Sequence, residues 1–180
     1  MLMKKGWGVM ADRVLVDTNI LLYAYDRGEP AKQPQALAVL DGLAVNGLGV
    51  LTPQILAEFF VNATKKLRPP LTAEEAYGCI QNYLLSWETR DITGAVVLEA
   101  VRGARTYRMA YGDAQVWASA KMYQIPVVFS EDFGDEAAVE GVRFVNPFGR
   151  NFKMVAWFPD PGGGHSTVAG TGDRPIAGKS

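Results

Sequence analysis

The sequence predicts an α/β fold: a three-layer α/β/α sandwich with a central, mostly parallel sheet. Short apolar runs that resemble buried strands alternate along the chain with stretches of helical periodicity. The 180 residues, 48% of them hydrophobic and 21% charged, suit one globular domain. We expect an N-terminal leader over residues 1–12, one domain over residues 13–158, and a disordered tail rich in Gly, Ser and Pro over residues 159–180.

The first two strands and the two helices between them are marked by apolar runs and by residues that end helices. Residues 13–17 form an apolar run that predicts a strand, and residues 19–25 follow it as a short helix. An amphipathic helix then ends near Asn46-Gly47, where a glycine favours a helix end. Gly49–Leu51 is the predicted second strand.

Two N-terminal capping signals mark the next two helices. Thr52 followed by Pro53 predicts an N-cap and a proline in the first turn, and this helix should end before Pro69-Pro70. Thr72 and Glu75 then form a capping box. The helix behind that box is expected to bury a face made of Tyr77, Ile80, Leu84 and Trp87.

The second half of the chain continues the alternation. We predict a strand over residues 88–92, a helix over Gly94–Tyr107 and another helix over residues 113–123. Two apolar runs, residues 126–129 and Val142–Val145, complete the predicted sheet. Strands separated by helices in this way are typical of parallel βαβ units covered on both faces.

Composition limits the partners and the compartment. The net charge of −1 provides no overall positive field, which argues against a high-affinity duplex binder but leaves an enzyme that meets RNA through a local patch. The single cysteine, Cys79, cannot form an internal disulfide. The first residues lack the apolar run of a signal peptide, and nothing approaches the length of a membrane span. We therefore expect a cytoplasmic protein without membrane attachment.

Four acids are predicted to meet at one edge of the sheet. Asp17 ends the first strand and Asp132 follows the fourth, and ligands of open parallel sheets bind beyond the carboxyl ends of strands. Asp113 begins a helix whose N-terminus should lie at the same edge. Glu58 lies about 7.5 Å below the start of its helix, and helical side chains lean toward the N-terminus.

Clustered carboxylates favour a metal site. Carboxylates held together repel each other, and one or two hard divalent cations such as Mg²⁺ or Mn²⁺ relieve that repulsion. Other roles remain open for single residues: Asp17 and Asp113 could be helix N-caps, and Asp132 could be a turn residue. Glu58 has no such simple role, because it interrupts an apolar run.

The residues around these acids resemble a known family. The matching segments are Val16-Asp17-Thr18-Asn19-Ile20-Leu21-Leu22-Tyr23-Ala24-Tyr25-Asp26, Glu58, Gly112-Asp113-Ala114, Ser130-Glu131-Asp132 and Val145-Asn146-Pro147-Phe148. Together they resemble the PIN domain, in particular the bacterial VapC-type toxins, over about residues 13–148. The resemblance implies a metal-dependent endoribonuclease, a homodimer and, in operon-encoded cases, a cognate antitoxin. The family often has an aromatic residue just before the third acid, where this chain has Gly112.

The predicted reaction is hydrolysis of RNA phosphodiester bonds, with the chain acting as the toxin of a toxin–antitoxin pair. Asp17, Glu58, Asp113 and Asp132 would hold the metal that positions and activates a water. Thr18, Asn19 and Ser130 are candidates for orienting these ligands, although Ser130 could equally be a plain turn residue. Two rival functions are a non-catalytic PIN-fold module that binds nucleic acid or protein, and an aspartyl phosphohydrolase. The second is disfavoured by Asn19, because that chemistry usually has an acid at this position.

Basic residues supply candidate RNA contacts. One group ends the helix that carries Glu58, where positive charge also suits the helix dipole, and the other lies on one face of a later helix. Both groups are also consistent with solvated surface. The candidates are Lys65, Lys66, Arg68, Arg102, Arg105 and Arg108.

Overall fold

The computed structural model describes residues 13–134 and 137–158, and these contain six strands and seven helices. The strands are β1 (Val14–Val16), β2 (Gly49–Leu51), β3 (Glu88–Thr89), β4 (Val127–Phe129), β5 (Ala138–Val139) and β6 (Val142–Val145). The helices are α1 (Thr18–Tyr25), α2 (Gln33–Val45), α3 (Pro53–Ala63), α4 (Ala73–Ser86), α5 (Gly94–Tyr107), α6 (Tyr111–Met122) and α7 (Met154–Trp157). The expected leader and tail lie outside the described residues.

The six strands form one sheet in the order β3-β2-β1-β4-β6-β5. Every neighbouring pair is parallel except β5 with β6. β1 is central, since Val14 pairs with Gly49 on one side and with Val127 on the other. The predicted central, mostly parallel sheet is therefore confirmed, and its parallel strands all end at the same edge.

The strands are apolar throughout because the sheet is covered on both faces. All residues of β1, β2 and β4 are buried, as expected of strands in a parallel sheet. Helix α1 packs against α2 and α3, while α5 and α6 pack against each other and α6 contacts β4 and β6. The three-layer α/β/α sandwich follows from this arrangement.

Close packing of α5 on α6 fixes the helix that carries Asp113. Trp117 of α6 is fully buried, and a Cβ built on Gly103 of α5 would lie 2.5 Å from its ring. Only a glycine lets the two helices approach this closely without moving the indole. Burial of a side chain this large stabilises the fold by about 1.5–3 kcal/mol or more.

The capping predictions hold. Thr52 accepts a hydrogen bond from the Ile55 backbone and precedes Pro53 in the first turn of α3. Thr72 and Glu75 form both bonds of the capping box that begins α4. Within the described part of the chain, no helix is long and apolar enough to cross a membrane.

The predicted apolar face of α4 is right for two of its four residues. Ile80 and Trp87 are half-buried and pack against the core, whereas Tyr77 and Leu84 are 54% and 52% exposed. The preceding residues Ala76 and Tyr83 are buried instead, because they meet the core at i, i+7 spacing.

Other differences concern element ends. α3 ends at Ala63, and α6 begins at Tyr111 rather than at Asp113. The third strand has only two residues, and neither the short β5 nor α7 was predicted. The β5–β6 pairing and the single turn of α7 are too short to leave a periodic sequence signal.

Candidate active site

Hydrogen bonds of its backbone and of both carboxylate oxygens hold Asp17 at the carboxyl edge of the sheet. Its backbone N–H donates to the Phe129 carbonyl at 2.9 Å. Its Oδ1 accepts from the Thr18 backbone N–H at 2.7 Å, and its Oδ2 accepts from Ser130 Oγ at 2.6 Å. Asp17 is therefore the N-cap of α1 and also an acid fixed beyond the end of β1.

Asn19 links the first acid to the fourth. Its Nδ2 donates to Asp132 Oδ2 at 2.9 Å and to Asp17 Oδ2 at 3.2 Å. The backbone N–H of Asp132 donates to Ser130 Oγ at 3.2 Å, which anchors the turn after β4. Asp132 is a turn residue, as the alternative interpretation proposed, and its exposed side chain still faces Asp17.

Glu58 is held through both carboxylate oxygens. Thr18 Oγ1 donates to its Oε2 at 3.1 Å, and Gln54 Nε2 donates to its Oε1 at 2.8 Å. The same Gln54 nitrogen donates to the Gly112 carbonyl at 3.3 Å, which joins α3 to the start of α6. The half-buried carboxylate thus points from α3 toward the ends of the strands, as its sequence position indicated.

Asp113 lies in the first turn of α6 but does not cap it. The N-cap is Ala110, which makes no side-chain capping bond, so the N-cap alternative for Asp113 is wrong. A carboxylate in the first turn still interacts favourably with the helix dipole. Gly112 leaves room beside it, since a Cβ there would lie 3.7 Å from Glu58 Oε1.

All four acids line one cleft of about 220 Å³. The other lining residues are Thr18, Asn19, Leu22, Asn62, Lys66, Gly112 and Val116. The structure therefore brings together the four acids and the neighbours Thr18, Asn19 and Ser130 that the sequence singled out. Asn19 links Asp17 to Asp132, and the Thr18 hydroxyl contacts Glu58.

Burial and neighbouring negative charges raise the pKa values of two of the four acids. Burial raises the pKa of Asp17 from 3.8 to about 6, against hydrogen bonds from Ser130 and Thr18 that lower it, and the charges of Asp132 and Asp113 raise it further. The pKa of Asp113 is also raised, first by burial and then by the charges of Asp132 and Glu58. The cleft therefore holds more negative charge than its own groups compensate.

The donor atoms suit a hard divalent cation. They are all oxygens, as Mg²⁺ and Mn²⁺ prefer, and the buried Asn19 Oδ1 has no hydrogen-bond partner in the described residues. Among residues 13–134 and 137–158, no three His, Cys, Asp or Glu side chains are grouped closely enough to hold a metal ion in this conformation. The fit therefore rests on donor chemistry and uncompensated charge.

Of the predicted basic contacts, only Lys66 lines the cleft. Lys65 and Arg68 are exposed residues beyond the end of α3, so the predicted placement in its last helical turn is wrong.

The three arginines of the second group lie outside the acid cleft. Arg102 pairs with Glu99 at 2.6 Å and with Glu140 at 2.9 Å. Arg105 lines a separate groove on α5, and Arg108 is the left-handed C-cap of that helix. Arg102 is thus paired with one acid of its own helix and with one acid 38 residues away.

Two polar residues that contact Glu58 escaped the sequence interpretation. Gln54 bonds Glu58, and the Asn62 side chain donates to the Glu58 carbonyl at 2.9 Å. Both lie four residues from Glu58, so the i±4 spacing of a helix face was the available signal.

Comparisons with known proteins agree with this architecture. A family profile described as the PIN domain matches residues 14–135. No curated protein matches the chain. Three similar solved structures share 15–19% identity with it, which supports the fold alone.

These three structures are of bacterial origin. A toxin–antitoxin complex from Klebsiella pneumoniae has 19% identity and a TM-score of 0.56, over 74% of this chain and 97% of that chain. VapC20 of Mycobacterium tuberculosis, a toxin that cleaves the sarcin–ricin loop, has 16% identity and a TM-score of 0.53, over 66% and 91%. DNA-bound VapBC from Salmonella typhimurium has 15% identity and a TM-score of 0.52, over 73% and 96%.

Proposed function

The chain belongs to the PIN domain family, and on that basis we propose that it is a divalent-metal-dependent endoribonuclease that hydrolyses RNA phosphodiester bonds. The observation that carries the proposal is the convergence of four carboxylates on one cleft. Two of them, Asp17 and Asp113, have raised pKa values caused by burial and by the neighbouring acids. Carboxyl groups whose pKa values are raised in this way are typical of functional sites.

Asp17, Glu58, Asp113 and Asp132 are the proposed ligands of Mg²⁺ or Mn²⁺. When bound, the cation supplies Lewis acidity toward the phosphate and lowers the pKa of a water. Hydrogen bonds from Ser130 and the Thr18 backbone orient Asp17, and the Thr18 hydroxyl orients Glu58. Such supporting contacts typically change metal affinity or activity by about 10–100-fold when removed.

Substrate contact is assigned to the basic and amide groups of the same cleft. Lys66 and Asn62 line it together with the acids. The Lys66 ammonium provides a positive charge for an RNA phosphate beside the carboxylates. The net charge of −1 makes this local contact more important, since the whole chain does not attract RNA.

A toxin role completes the proposal. The similar structure from Klebsiella pneumoniae is a toxin–antitoxin complex, which supports a cognate antitoxin as partner. The homodimer and the cytoplasmic location remain proposals that accompany this role. The solved relative that cleaves the sarcin–ricin loop supports RNA as the substrate class.

The test is cleavage of end-labelled RNA by the purified protein with Mg²⁺ or Mn²⁺, with EDTA, and with metal restored. We expect cleavage that requires the cation and disappears in the Glu58→Gln variant. Equal cleavage in EDTA contradicts the metal mechanism. RNA binding without turnover, under every cation condition, supports the alternative of a non-catalytic PIN-fold module.

A further inference from the structure

Three side chains beside the acid cleft form a closed polar cluster outside it. Lys32 Nζ lies 2.6 Å from Glu131 Oε2 and donates to the Tyr23 hydroxyl at 2.9 Å. The Tyr23 hydroxyl in turn donates to Glu131 Oε1. Every member is therefore bonded to both others, and the cluster connects α1, the residue before α2 and the turn after β4.

Aromatic packing shields this cluster from water. The Lys32 ammonium lies 4.2 Å from the Tyr23 ring centre and 5.6 Å from that of Phe148. The two rings meet edge to face, with centres 5.2 Å apart. The Glu131 side chain is only 19% exposed. An ion pair with several partners and limited exposure restrains its residues more than an isolated surface pair does.

In the sequence, Glu131 lies between Ser130, which supports the acid cleft, and Asp132, which lines it. Ser130 bonds Asp17, and Asp132 is the fourth acid. The Asp132 side chain is exposed and accepts a hydrogen bond from Asn19, so its position depends both on that bond and on the conformation of the turn. Residues 130–134 lie beyond the end of β4. The Ser130 backbone N–H still donates to the Val145 carbonyl of β6 at 3.1 Å, and the ladder of β4 with β6 extends no further. The Lys32–Tyr23–Glu131 cluster is one side-chain anchor of this turn, in addition to the bonds of Ser130 and the stacking of Phe133 on Phe144.

We propose that Lys32 and Tyr23 are positioning residues which, through Glu131, fix residues 130–134 and so hold the Asp132 carboxylate in the cleft. This inference rests on the proposed function, because it assigns Asp132 a role as a metal ligand. It adds residues that contact neither the cleft nor any of the four acids directly.

The direction of the change in Mn²⁺ affinity distinguishes a positioning role of Lys32 from a purely electrostatic one. Lys32→Met removes a positive charge and leaves Glu131 uncompensated, so Coulomb's law alone predicts tighter binding of a cation nearby. Loss of positioning predicts weaker binding, since Asp132 would no longer be held. The two explanations therefore predict opposite changes in Mn²⁺ affinity.

The test compares Lys32→Met with a control variant, Lys121→Met. Lys121 lies in the last turn of α6, at the end opposite to Asp113. Lys121 also has two side-chain partners, the acids Glu99 and Glu140, and its side chain has a similar exposure, 30% against 32% for Lys32. Mn²⁺ affinity is measured by electron paramagnetic resonance, and backbone order by hydrogen exchange. We expect Lys32→Met to weaken Mn²⁺ binding about 10-fold and to speed exchange in residues 130–134. Lys121→Met should do neither.

Two further variants keep the result decisive. Tyr23→Phe removes only a hydroxyl and should produce the same changes at smaller size, even if Lys32→Met folds poorly. Lys32→Arg keeps the charge and should restore most of the affinity. Unchanged or tighter Mn²⁺ binding, together with unchanged exchange at 130–134, overturns the proposal. If the wild type binds no Mn²⁺, the proposed metal site fails, and the exchange data still decide whether this cluster orders the turn.

Discussion

Replacing Asp17 by asparagine should make the apoprotein more stable at neutral pH and not at acid pH. Burial is the largest cause that raises the pKa of this carboxyl from 3.8 to about 6 in the folded chain. Because the folded state holds the proton more tightly than the unfolded state, the ionised group destabilises the fold above about pH 6. That cost vanishes as the pH falls below 3.8.

The magnitude follows from the pKa difference. At 1.36 kcal/mol per pKa unit, the ionised carboxyl costs about 3 kcal/mol at pH 7. Asparagine removes this cost but loses an acceptor for Ser130 Oγ, now bonded at 2.6 Å, which costs about 1 kcal/mol. The free energy of unfolding of the variant should thus exceed that of the wild type by about 2 kcal/mol near pH 7. Near pH 4 the difference should be about zero or negative.

The assay is urea unfolding in EDTA across this pH range, with Asp91→Asn as a control at an exposed acid outside the cleft. Adding Mg²⁺ should stabilise the wild type by mass action and the Asp17→Asn variant less. A stability difference between variant and wild type that is the same at both pH values would refute the reasoning. Such a result would mean that folding does not raise the pKa of the Asp17 carboxyl.

Three other changes test separate parts of the structure. Thr18→Val removes the hydrogen bond to Glu58 and should lower the cleavage rate about 10-fold without unfolding the chain; an unchanged rate means that Glu58 needs no such support. Lys66→Met should raise KM for RNA several-fold, whereas Lys65→Met, outside the cleft, should not; equal effects would contradict a specific contact. Gly103→Ala should destabilise by about 1–3 kcal/mol through contact with Trp117, while Gly78→Ala, which meets nothing within 4 Å, should stabilise slightly. Thermal melts that rank these two variants in the opposite order would contradict the packing.

The elements that the sequence predicted well carry local signals. Gly49–Leu51 and Val142–Val145 are bounded by turn residues and are buried runs, and Thr52 and Thr72 announce their helices through capping chemistry. The convergence of the acids was predictable for a geometric reason. Parallel strands end at one edge of a sheet, so a residue that follows β1 and a residue that follows β4 must be neighbours.

Features that depend on distant partners were not predictable. Arg102 was a candidate RNA contact because it lies on a basic helix face, yet it pairs with Glu140, 38 residues away. The bond between Lys32 and Glu131 spans 99 residues. The buried face of α4 includes Ala76 and Tyr83 in place of the predicted Tyr77 and Leu84, because helical periodicity alone does not fix which stripe meets the core.

The most direct test of the four-acid site is the RNA cleavage rate of Asp113→Asn, measured with Mn²⁺ under single-turnover conditions beside Asp91→Asn. Asp113 makes no capping bond, so asparagine at this position removes a proposed metal ligand while leaving the start of α6 intact. We expect the rate to fall by at least about 100-fold, with a thermal melt equal to or above that of the wild type. A folded Asp113→Asn protein that cleaves RNA as fast as the wild type and Asp91→Asn would contradict the four-acid site.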